Sequence, residues 1–163
     1  MRNLLITSAL CLAPMAATAD DQLDRFASVM VDMNVLMGEM MALEIEQGGG
    51  DGTPVRDALA LLEWTPALQT AAACVQDKFA DVAGPDTFST MLDDIEAVIA
   101  DSQGMTMTEF AESMDPMALI PQGMTQDESM AINEECGLPD AQLAAMSETG
   151  FTAAVMAAMS ESQ

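Results

Sequence analysis

The chain has 163 residues and a formal net charge of −23 at pH 7, from 27 Asp and Glu against 4 Lys and Arg. Such an acidic balance excludes nucleic acid and anionic membrane surfaces as partners, because both repel it. Histidine and tyrosine are absent, which removes a Ser-His-Asp triad, a Cys-His pair and imidazole ligation of zinc or haem from the chemistry this chain can perform alone.

Residues 1–19 read as a cleavable secretory signal. Arg2 gives a short basic start, Leu4 to Leu12 an apolar core, Pro14 a break and Ala17-Thr18-Ala19 a small-residue cleavage pattern. The apolar run is too short for a spanning helix, and Cys11 follows the bulky Leu10, which argues against a lipoprotein. The expected product is residues 20–163, one acidic domain, exported to the periplasm or secreted, with no later run suited to cross a bilayer. All 27 acidic residues follow Ala19, and the remaining cations are Arg25, Arg56 and Lys78. This charge keeps an apolar, methionine-rich chain dispersed and needs no acidic function behind it.

The first element after the signal is a long helix from Asp20-Asp21 to Gln47, ended by Gly48-Gly49-Gly50. It carries Met30, Met33, Met37, Met40 and Met41 on a stripe begun by Leu23 and Phe26, while Arg25, Asp32, Glu39 and Glu46 keep a narrow polar face. An apolar surface that wide predicts a central, largely buried helix in which the methionines serve as pliable core and not as metal ligands. The GGGDG run at 48–52 has the look of a calcium-repeat fragment, but a single copy is better explained as a linker, and no window has the ligand order of an EF-hand.

Thr53-Pro54 and Thr65-Pro66 each place a hydroxyl before a proline, predicting helices over 54–64 and 66–82. Gly84-Pro85-Asp86 ends the second of these and opens an amphipathic helix with Phe88, Met91, Leu92, Ile95, Val98 and Ile99 on one face. Thr106 with Glu109 and Thr125 with Glu128 have capping-box spacing, predicting helices over 107–114 and 126–136. Gly137 stops the chain, Pro139 restarts it, and two short helices joined at Thr149-Gly150 close it, with 160–163 frayed.

No segment alternates with period two, so the expected fold is all-α: a single-domain bundle of about seven helices. With Cys11 removed, Cys74 and Cys136 remain, and in an oxidising compartment they are expected to form one disulfide from the third helix to the sixth. A C-x-x-C spacing, which redox catalysis would favour, is absent.

Adjacent carboxylates such as Asp93-Asp94 and Glu134-Glu135 point apart on a helix, and one Trp with five Phe provides little to stack a sugar, so carboxylate hydrolysis is not expected. The chain is therefore expected to be non-enzymatic and without a cofactor. The functional signal is methionine, 17 residues of it. A second cluster, Gly104 to Met124, lies on a short helix and a proline-broken loop. There Met105, Met114, Met117, Leu119 and Met124 form the candidate surface for an unknown protein or peptide partner. Two alternatives stand beside it. Met114, Met117 and Met124 could supply thioethers to a Cu(I) carrier. An acid-stress chaperone is the other, and charge argues against it, since protonated carboxylates would leave a chain with few positive charges.

Overall fold

Proline and glycine punctuate this chain, and the helix boundaries follow them. The computed structural model describes residues 19–161 and places eight α-helices there: α1 Ala19–Gln47, α2 Thr53–Leu59, α3 Pro66–Ala83, α4 Pro85–Asp101, α5 Met107–Ser113, α6 Gln126–Glu135, α7 Leu138–Glu148 and α8 Phe151–Glu161, with a single 3₁₀ turn at Pro116–Leu119. The segment read as a signal lies outside the described residues except for Ala19, as do residues 162 and 163 of the tail expected to fray. Ser160 and Glu161 complete α8.

The caps follow from local chemistry. Thr65 is extended, the conformation favoured for a residue before proline, and its hydroxyl accepts the Leu68 N–H at 3.2 Å. Both capping boxes close: Glu109 and Glu128 each accept the backbone N–H of the threonine three residues earlier, at 2.8 and 2.9 Å. Those N–H groups, followed by the hydroxyls of Thr106 and Thr125, hold the two carboxyls below the usual glutamate range. Two expectations need correction at α2. Thr53 is inside the helix and not its cap, and Asp51 supplies the acceptor for the Thr53 N–H at 2.9 Å. The helix also ends at Leu59, not at 64, because the chain leaves it to pack Leu62 and Trp64 against the main core before Pro66 opens α3.

α1 is the spine. Its first half packs Phe26 and Val29 on α3 and α4 in the main core, with Leu68, Val75, Phe79, Phe88 and Leu92. Its last turns pack Ala42 and Ile45 on α2 and α8, with Val55, Leu59 and Phe151. Between them, Leu36 and Met40 meet Phe110 of α5. Gly38 sits at the α1–α2 crossing, where an added Cβ would lie 2.2 Å from a Leu59 methyl; the glycine is the hole that Leu59 fills.

By length and composition α1, over Asp21–Gln47, could cross a membrane, contrary to the expectation that no run after residue 19 could. In the bundle that apolar surface is covered on several sides by the five helices named above. It is not buried all round, however. Met40 is 1% exposed, whereas Met30, Met33, Met37 and Met41 are only partly covered, so the stripe is core at Met40 and part-open elsewhere.

Three cations tie helices together. Arg25 of α1 pairs with Glu96, at 2.8 Å, and with Asp93 on α4. Arg56 of α2 pairs with Glu39, at 2.7 Å, and with Glu46 on α1. Lys78 of α3 pairs with Glu135 of α6 at 2.7 Å. The Cys74–Cys136 disulfide joins α3 to the C-terminal cap of α6 beside that last pair, with Cα atoms 5.7 Å apart.

Candidate functional site

α6 is the least apolar of the helices that pack on the main core. Its sequence QDESMAINEE carries four carboxylates, and Ser129 is its one buried residue. A helix with so little to bury cannot seal the surface it lies against. Ile132 and Cys136 bring its inner side onto the core, and the remaining gap to α1 stays open.

That gap is an apolar groove of about 350 Å³. α1 contributes Phe26, Val29, Met30 and Met33, α3 Phe79, α4 Met91 and Ile95, the 3₁₀ turn Leu119, α6 Met130, and α7 Leu138. Its base is rigid: Phe26 and Phe79 both meet the buried Phe88 edge to face, with ring centroids 5.4 and 6.2 Å apart. Its rim is pliable, since Met30 and Met33 are partly covered and Met130 is 52% exposed. The polar lining is Ser129, Asn133, Glu134 and Gln142, all on α6 and α7, and Glu134 is the one ionisable group among them. The volume is at the low end of the range for small-molecule sites, about 300–1,000 Å³.

Of the residues singled out from sequence, Met105 and Met114 come together against the Leu36, Met40 and Phe110 cluster, and the others lie elsewhere. Met105 lies beside α5, where Ser113 Oγ approaches its sulfur at 3.8 Å. Met114 packs against the Leu36, Met40 and Phe110 cluster. Met117, 52% exposed, lines a different hollow of about 600 Å³, whose walls mix Thr87, Thr90, Asp94 and Asp115 with Met91, Ile120 and Pro121. Leu119 alone reaches the groove. Met124 is 3% exposed inside the main core and so leaves the candidate surface. The three methionines considered for Cu(I), Met114, Met117 and Met124, accordingly belong to separate surroundings: a minor core cluster, an open hollow and the main core.

Sequence reasoning did not single out Met30, Met33 and Met130 as residues lining an open groove. The first two were absorbed into a stripe that looked like core. Met130 had a usable signal: it is a large apolar residue in an otherwise polar helix, one turn from Asn133 and Glu134. Compared with protein-family models, with characterised proteins and with solved structures, the chain matches none.

Proposed function

We propose that this is an exported, non-enzymatic protein that binds a peptide or a segment of a partner protein by taking its apolar side chains into the groove between α1 and α6. The observation that supports it is the composition of that groove, a fixed phenylalanine base under the adaptable Met30, Met33 and Met130 rim. Thioether side chains re-pack around varied shapes with little rotamer strain, which suits a site that accepts several sequences. A lining with a single carboxylate, Glu134, and no cation provides no acid–base pair for catalysis. Export is supported by the residue 1–19 pattern together with the Cys74–Cys136 bridge, which persists in an oxidising compartment.

The test is titration of the purified oxidised protein with an uncharged solvatochromic dye such as Nile red. One saturable, blue-shifted site is expected. Replacing Met33 or Met130 by the near-isosteric Gln should weaken it by about tenfold each, since burying a methionine contributes about 1.5–3 kcal/mol. Met156→Gln, at an exposed position of α8 away from the groove, should leave it unchanged. Absence of saturable binding, or equal binding by a folded M33Q/M130Q protein, rules the groove out as the site.

A further inference from the structure

We infer that the occupant of the groove is a short basic amphipathic helix, with apolar anchors on one face and Lys or Arg on its flanks. The inference rests on the groove being a binding site and goes beyond it by naming the partner's charge and shape.

Charge is the first argument. The wall formed by α6 and the start of α7 presents Asp127, Glu128, Glu134, Glu135 and Asp140, all exposed, and no base. Only Glu135 among them has a cationic partner, and the cations after Ala19 are otherwise engaged. Arg25 is bound to Asp93 and Glu96, Arg56 to Glu39 and Glu46, and Lys78 to Glu135 itself. An anionic amphiphile, such as a fatty carboxylate, would thus enter an apolar slot whose only ionisable neighbour repels it. A second copy of this chain fares no better, since each carries a net charge of −23. Positive flanks are attracted both at long range and at the rim, where they meet carboxylates on α6.

Shape is the second argument. On α1 the groove residues Phe26, Met30 and Met33 stand at i, i+4 and i+7, which covers about 10 Å of helix. A docked helix presents its apolar anchors over the same length and at the same spacing. A volume of about 350 Å³ takes a few side chains and not a whole helix, so the partner lies along the opening with its anchors inserted and its flanks in solvent.

The experiment displaces Nile red from the oxidised full chain with three synthetic peptides: an amphipathic leucine–lysine helix, its leucine–glutamate counterpart, and a lysine–serine peptide of equal charge without an apolar face. The leucine–lysine helix should displace the dye, more weakly as salt is raised, and the other two should not. Glu134→Lys, at the one charged residue of the groove's lining, should weaken the leucine–lysine helix at least about tenfold more than it weakens the dye, which is retitrated in the same variant. Equal displacement by the leucine–glutamate helix or by the lysine–serine peptide overturns the inference, and so does unchanged peptide affinity in E134K. If the dye binds and the leucine–lysine helix fails to displace it, the partner named here is wrong while the groove stands. If the dye itself does not bind, the groove reading falls and this inference with it.

Discussion

Replacing both Cys74 and Cys136 by Ala tests how the groove is held together. The bridge spans a sequence separation of 62, and on the chain-entropy account a loop of that length stabilises the folded state by about 4 kcal/mol. That is a large part of the roughly 5–15 kcal/mol typical of a domain, and at this size it corresponds to a fall in Tm of about 10–15 °C. The structure adds a local consequence. Ser129 is the one buried residue of α6, which is fastened at its C-terminal end by Cys136 and the Lys78–Glu135 pair. An exposed ion pair contributes about 0–1 kcal/mol, so without the disulfide little keeps this wall in place. Amide exchange should therefore accelerate in residues 126–135 well before it does in α3 or α4, and Nile red affinity should drop even below Tm. Urea unfolding, exchange mass spectrometry and the dye titration read the three effects. A variant that unfolds at the wild-type midpoint, or that loses stability uniformly with α6 no more mobile than α4, refutes the view that the bridge fixes the groove's wall.

Three further outcomes are expected. Gly38→Ala drives a Cβ to within 2.2 Å of a Leu59 methyl, and the overpacking cost, about 1–3 kcal/mol, should exceed the roughly 1 kcal/mol gained in helix propensity, lowering the urea midpoint. The Glu128 carboxyl is held below its ordinary 4.5 by the Thr125 backbone N–H and hydroxyl, so its stabilisation is present above that value and lost as pH falls through the lowered one. The Tm gap between wild type and E128A should accordingly be constant near neutrality and close in acid. In Arg25→Gln the Glu96 carboxyl, kept low chiefly by hydrogen bonding from Arg25, should titrate higher by NMR, with a stability loss under about 1 kcal/mol that fades at high salt.

Local chemistry was legible in the sequence because it depends on residues a few positions apart. Thr65-Pro66, the two threonine–glutamate boxes and Gly84-Pro85 set helix ends that the fold reproduces, and the two cysteines that follow Cys11 are the pair the fold brings together. Gly38 escaped notice, since a glycine inside a helical stripe acquires meaning only from the residue that crosses it, here Leu59. The premature end of α2 has the same origin: the pull on Leu62 and Trp64 comes from a core assembled by distant helices. The groove was not legible for a related reason. Periodicity says that a face is apolar, but whether Met30 and Met33 are covered is decided about a hundred residues later, by the poverty of α6 in apolar side chains.

That poverty also links the groove to the charge of the chain. An α6 rich in leucine would close over α1 and bury Met30 and Met33, increasing stability and abolishing the opening. Instead α6 carries Asp127, Glu128, Glu134 and Glu135, all exposed to water and Glu134 on the groove itself, and it is retained by a covalent bond whose contribution does not depend on apolar contact. The same division recurs in the cations: Arg25, Arg56 and Lys78 all join helices, so none of them neutralises Glu134 beside the apolar groove. Stability is thus drawn from the aromatic core, the ion pairs and the bridge, leaving the α1–α6 seam free to stay open. An open seam with a rigid base and thioether rim costs a folded protein exposed apolar area, and binding a basic, apolar-faced segment is the event that would return it.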